Sequence, residues 1–172
     1  AQIQLDTKKL YHLPVPVSEQ TAPADLYPYS TQKQYLQDYA GFPAYDQTDV
    51  QYYSPGEAFW EPFLLELRKA QSYIFMEYFI LDSGLLWDSI LEILIEKASK
   101  GVEVRIIYDD IGCFLTLPSN FAKQLAQHGI KCVAFNRFRP FLSTTQNNRD
   151  HRKISSIDGK VSFTGGLNLA DE

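Results

Sequence analysis

The segments 72-SYIFMEYFIL-81, 84-GLLWDSILEILIEKAS-99 and 102-VEVRIIY-108 decide the fold. The first is short, apolar and rich in aromatic and branched side chains, the composition of a buried strand. In the second, Leu86, Ile90, Ile93, Leu94 and Ala98 recur at helical spacing, and Gly101 ends the run. The third is a strand again. Strand, helix and strand joined by short links predict parallel strands covered by helices. Downstream, 118–128 is amphipathic and closed by Gly129, and 130–135 is a third strand. The alternation then breaks into two short strands, 151–157 and 160–164, around Asp158-Gly159, a pair that signals a two-residue hairpin. Upstream, Ser54, Pro55 and Glu57 supply an N-cap, a first-turn proline and a capping-box acid. Phe59, Phe63, Leu64 and Leu67 then follow at helical spacing, which predicts a helix of about 15 residues. Residues 1–50 are rich in Tyr, Gln and Pro and read as an arm with at most one helix, over 30–39. The domain is 51–172. The expected fold is α/β, a mixed, largely parallel sheet flanked by helices.

A chain of 172 residues, 45% apolar and 22% charged, fits one globular domain and excludes collagen-like, coiled-coil and largely disordered classes. No apolar run approaches the roughly 20 residues of a membrane-spanning helix. No basic, then apolar leader opens the sequence, so no signal peptide is expected. Cys113 and Cys132 lack metal-ligand spacing and are expected as reduced thiols, in a cytoplasmic setting. The net charge of −5 hides an uneven distribution: residues 131–153 carry six bases (Lys131, Arg137, Arg139, Arg149, Arg152, Lys153) against Asp150 alone, a local +5, leaving −10 elsewhere. An acidic body with one basic patch is a poor nucleic-acid binder, because neutralising a polyanion takes many dispersed cations. It suits one or two phosphates.

Within that patch, His151 and Lys153 stand two apart, the spacing that puts strand side chains on one face. A neutral imidazole can attack phosphorus while an ammonium offsets the charge that builds on the non-bridging oxygens. Asn168 can add hydrogen bonds, and Gly165 with Gly166 lets backbone approach an anion.

The combined pattern His-x-Lys-x4-Asp-Gly-x5-Gly-Gly-x-Asn, at His151, Lys153, Asp158, Gly159, Gly165, Gly166 and Asn168, resembles the signature of the phospholipase D superfamily. The surrounding 147-NNRDHRKI-154 and 163-FTGGLNLADE-172 are similar to the first motif of bacterial cardiolipin synthases; so are 77-EYFI-80, 101-GVEVRIIYDDIG-112 and the Phe42-Pro43 region. The resemblance implies a site built from two such motifs, in two repeats or two subunits, with one histidine as phosphorylated nucleophile and the other protonating the leaving alcohol. Carried over by position, His151, Lys153 and Asp158 form the catalytic set, and Lys153, Asn168 and Gly166 bind the substrate phosphate. Asp158, at the turn, is the structural member. No metal and no cofactor is implied.

The expected protein is thus the first catalytic repeat of a phosphatidyltransferase that joins two phosphatidylglycerols, at the cytoplasmic face of the membrane. This chain alone is expected to be soluble and inactive, and to be cut short at Glu172. Partners are anionic phospholipid, a membrane surface and a second repeat or subunit. Alternatives are a homodimeric phosphodiesterase or nuclease of the same superfamily, and a non-catalytic membrane-docking half. Other readings stay open. Glu77 is either a supporting group near the site or a strand-end ion pair. The 137-RFRPFL-142 segment is either an interfacial loop for anionic lipid or a loop packed on its own core. Asp109 and Asp110 end a strand and point to opposite faces, so strand-end polarity is preferred to a metal site. His128 reads as a helix C-terminal residue, and His12 has no chemical company.

Overall fold

A computed structural model describes residues 29–42, 48–138 and 147–171. His12, Pro43, Arg139 and the 140–142 part of the proposed interfacial loop lie outside them. The chain divides between Tyr52 and Tyr53. The first unit contains α1, Ser30–Asp38, on which Tyr35 and Tyr39 stack with ring centroids 5.3 Å apart.

In the second unit a 3₁₀ turn, Gly56–Phe59, runs into α2, Trp60–Lys69. Ser54 makes no capping hydrogen bond here; the first turn is closed instead by the Ala58 N–H donating to the Pro55 carbonyl at 3.0 Å. The rest follows in order: β1 (Tyr73–Tyr78), α3 (Leu85–Ser99), β2 (Glu103–Asp109), α4 (Phe121–Gln127), β3 (Lys131–Phe135), β4 (Ile154–Ile157) and β5 (Val161–Thr164). The strand order is β3-β2-β1-β4-β5; β1, β2 and β3 run parallel, and β4 and β5 add as an antiparallel hairpin beside β1.

Alternation puts Ile74, Met76 and Tyr78 of β1, Val104, Ile106 and Tyr108 of β2, and Ser155 and Ile157 of β4 into one core. They meet Phe63 and Leu67 of α2, Trp87, Ile90 and Leu94 of α3, and Phe121 and Leu125 of α4. Ser155 is fully buried among these apolar groups and is satisfied by the Tyr78 hydroxyl at 2.9 Å. Burial pushes that phenol up to about 12. The opposite sheet face carries Glu103, Arg105 and Lys131, with Glu103 paired to both bases at 2.7 Å and the Arg105 guanidinium 5.2 Å from the Phe75 ring centre. Both thiols are free. Cys113 is buried and Cys132 half-buried.

The hairpin departs from the sequence expectation twice. Asp158 and Gly159 have positive φ of 54° and 67°, as a tight turn demands, but Ile157 pairs with Val161, so the connection has three residues, with Lys160 as the extra one. The strand also starts later than expected. Ile154 faces Glu77, and residues 151–153 lie beyond the ladder.

Candidate active site

The parallel strands end at one edge of the sheet, and the residues leaving them build the site. Phe79 follows β1 and lays its ring against the His151 imidazole, centroids 4.5 Å apart at 53°. Lys153 places its Nζ 5.3 Å from the centre of the same ring. His151 is exposed, whereas Lys153 is only 5% exposed. Its ammonium donates to the His151 carbonyl at 2.9 Å and lies 3.1 and 3.2 Å from the imidazole Nδ1 and Nε2. Burial lowers the Lys153 pKa below the ordinary lysine value, against the opposing pull of Asp150. The two groups are together, but they are held by the chain entering β4 and not by a strand face.

What holds that chain is Asp109, which is fully buried at the end of β2. Its Oδ1 accepts the Ile111 and Gly112 N–H groups at 3.0 and 2.9 Å and an Arg149 N–H at 3.2 Å; its Oδ2 accepts the Asp150 N–H at 2.9 Å. Arg149 also donates to the Asn136 carbonyl at 2.9 Å. One carboxylate therefore ties the turn after β2 to the two residues that precede His151.

A second acidic group lies beside it. The Arg152 Nε sits 2.7 Å from Glu77 Oε1 and 3.0 Å from Asp150 Oδ1, though the Glu77 contact lacks hydrogen-bond geometry and leaves Oε1 buried without such a bond. Burial, then a hydrogen bond to Asp150 and that residue's charge, push Glu77 up to about 7, with Arg152 pulling the other way. Burial would raise Asp150 as well, but hydrogen bonds from Glu77 and Arg152 outweigh it and its pKa falls. Of the two carboxyls, Glu77 is therefore the one that takes up a proton first as pH falls. Of the two roles open for Glu77, the ion pair with Arg152 is present, and it lies two residues from Phe79.

Asn168 approaches from the segment after β5, where Leu169 bridges to Leu81. Its Oδ1 accepts the Ile80 N–H at 3.2 Å, so its Nδ2 hydrogens are the donors left for a ligand. Gly165 and Gly166 are exposed, and a Cβ on either would meet nothing within 4 Å. The space there is open.

Asp158 does not join these groups. It lies seven residues beyond His151, at the other end of β4. There its carboxylate accepts three backbone N–H groups, from Gln71, Ser72 and Tyr73, each at 2.8 Å. Those bonds, that from Tyr73 foremost, hold its pKa below the usual carboxylate range. Asp158 thus anchors the start of β1, apart from His151 and Lys153. Phe79, Asp109 and Asp150 were not singled out for the site. Phe79 alone had a local signal, lying two residues after Glu77 and so continuing its strand face.

Among the described residues no group of three or more His, Cys, Asp or Glu is placed to hold a metal ion, and no helix is long and apolar enough to cross a membrane.

Comparison with known proteins places this arrangement. The chain is 49% identical over 139 residues to an uncharacterized protein of Streptococcus mutans, covering 81% of this chain and 30% of that protein. It is 40% identical over 126 residues to a cardiolipin synthase of a Geobacillus species (73% and 25%), and 36% identical over 138 residues to cardiolipin synthase 1 of Bacillus cereus (80% and 27%). The chain thus spans under a third of the length of these relatives. Among solved structures, Nuc of Salmonella typhimurium, a phospholipase D family member, superposes with a TM-score of 0.51 at 22% identity over 69% of each chain, a likeness of fold. Residues 63–172 match the family described as cardiolipin synthase, PLD-like domain, and the chain belongs to that family.

Proposed function

We propose that this chain supplies one half of the active site of a phosphatidyltransferase that makes cardiolipin and glycerol from two phosphatidylglycerols. The observation that carries the reading is the seating of His151, exposed between the Phe79 ring and the buried Lys153 ammonium. An imidazole nitrogen of His151 attacks the phosphorus of one phosphatidylglycerol; the bond from phosphorus to the glycerol oxygen breaks, and the departing glycerol takes a proton from a second imidazole. That imidazole then removes the proton from a hydroxyl of the second phosphatidylglycerol, whose oxygen displaces His151 and completes cardiolipin. Lys153 turns its ammonium from the His151 carbonyl to the phosphoryl oxygens, and the Asn168 Nδ2 donates beside it. Neutral His151 suits this role, since a proton on the attacking nitrogen would block it. The second imidazole comes from another repeat or subunit.

The test uses the full-length protein and phosphatidylglycerol labelled at phosphorus. Acid-labile, alkali-stable label should appear on the protein and vanish in His151→Ala, and cardiolipin and glycerol should form in equal amounts. Label retained in His151→Ala refutes the nucleophile. Phosphatidic acid formed without cardiolipin would make the protein a hydrolase instead.

A further inference from the structure

The turn after β2 presents an anomaly. Leu115 is 92% exposed and Phe114 65%, while Phe138, leaving β3, is 48% exposed and stacks edge-on against Phe114 with centroids 6.2 Å apart. Apolar side chains on a loose loop would fold back. These cannot, because the base beneath them is fixed. Cys113 is buried, its Sγ accepting the Leu81 N–H at 3.2 Å, and the Thr116 hydroxyl donates to the Leu81 carbonyl at 2.6 Å. Gly112 lies so close to Phe79 that a Cβ would fall 2.3 Å from its carbonyl oxygen. On the neighbouring exit, Asp110 accepts the Phe138 N–H at 2.7 Å, which fixes the second aromatic beside the first.

Most of the turn's N–H groups are also bonded within it. The Ile111 and Gly112 N–H groups go to Asp109 Oδ1, Cys113 N–H to the Asp109 carbonyl, Phe114 N–H to the Ile111 carbonyl, and Thr116 and Leu117 N–H to the Cys113 carbonyl. Six of the seven N–H groups from Ile111 to Leu117 are thereby bonded within the turn, all but that of Leu115, which lowers the cost of moving it toward a medium poor in water.

We infer that Phe114, Leu115 and Phe138 form a tip that enters the boundary between headgroups and acyl chains of an anionic bilayer, seating the His151 site at the membrane surface. The inference rests on the lipid substrate proposed above and names the element that meets the lipid. Three observations favour a bilayer over a protein partner. The apolar tip, at 150–250 Å² for a whole aromatic side chain, offers on the order of 400 Å², about half of what each side of a stable protein interface buries. Arg137, exposed and adjacent to Phe138, provides the cation that attracts an anionic surface. The tip and the site share a floor, because Phe79 lies against both Gly112 and the His151 imidazole.

Leu115→Cys, labelled with the environment-sensitive fluorophore NBD in the full-length protein, tests the tip directly. With vesicles of phosphatidylcholine and phosphatidylglycerol the emission should rise and shift to the blue. Lipids with a nitroxide on the acyl chain should quench it, and aqueous iodide should lose access. Phe114→Ser with Leu115→Ser should lower vesicle partitioning about 30-fold or more while the melting temperature stays at the wild-type value, since both side chains already face solvent. An NBD signal that vesicles leave unchanged overturns the tip; so does a blue shift that follows protein concentration without vesicles, which would mark a protein contact. His151→Ala should insert like the wild type. Insertion without cardiolipin synthesis keeps the tip and removes the transferase; synthesis without insertion does the reverse.

Discussion

The two ends of β4 use charge in opposite ways. At the turn, Asp158 commits its carboxylate to three backbone N–H donors at 2.8 Å. At the other end His151, Lys153, Glu77, Asp150 and Arg152 crowd together, with one Glu77 oxygen buried without a hydrogen bond. One sequence motif spans both. The first end fixes where the hairpin lies against β1, and the second gathers the groups proposed to meet a substrate. A motif aspartate is therefore compatible with a purely architectural role.

Asp109 lies at the site end yet behaves as the turn end does, and it offers the hardest test of the division. Asp109→Ala leaves Arg149 with its guanidinium short of a charge partner and four donors unmet, and should cost about 3–5 kcal/mol in denaturant unfolding. A loss below about 1 kcal/mol would show that the segment before His151 is held by something else. Asp158→Ala should cost less, about 1–2 kcal/mol, because solvent reaches the turn and can replace part of what is lost. Its folded pKa is lowered, so that contribution is present above the ordinary aspartate value and fades as pH falls through the folded one.

The carboxyl pair makes the opposite pH prediction. Glu77 titrates near 7 in the folded chain against 4.5 for the free group, so between those values the unfolded chain releases a proton that the folded chain keeps. Stability from this group is complete below pH 4.5 and declines as pH rises to about 7, by at most about 1.4 kcal/mol per pH unit. Glu77→Gln should flatten that slope in melts taken from pH 4.5 to 7.5; an unchanged slope removes the raised Glu77 pKa. The smallest effect belongs to His151, the proposed nucleophile. His151→Ala should alter unfolding by no more than about 0.5 kcal/mol, since the ring is exposed and its loss exposes only one face of Phe79. A larger loss would make His151 part of the architecture and blur the distinction between the two ends.

The long periodic segments are readable because their pattern repeats: β1, α3 and β2 each start within a residue of where the apolar spacing puts them, though β1 ends three residues sooner, at Tyr78. The motif residues were readable as chemistry. What local pattern could not supply was partnership. Alternation runs through 151–153, but a strand lasts only as long as its neighbour, and the ladder to β1 begins at the Glu77–Ile154 pair. Asp-Gly chemistry fixes a positive-φ turn, but its length is set by bonds from Asp158 to residues more than 80 positions away. Asp109 looked like ordinary strand-end polarity because its partners, Arg149 and Asp150, lie 40 and 41 residues downstream. Ser54 has the residue type of a cap, and the proline carbonyl beside it closes the turn.

The buried setting of the two cysteines has a practical consequence for labelling chemistry. Desolvation pushes Cys113 up to about 11 and Cys132 up to about 12. At neutral pH only on the order of one molecule in 10⁴ carries a thiolate at Cys113, and fewer do at Cys132. Maleimides and iodoacetamides react with the thiolate, so the native chain is nearly silent to them. A cysteine introduced at an exposed position would then be the fast-reacting thiol, and site-specific probes can be attached without first removing the native pair.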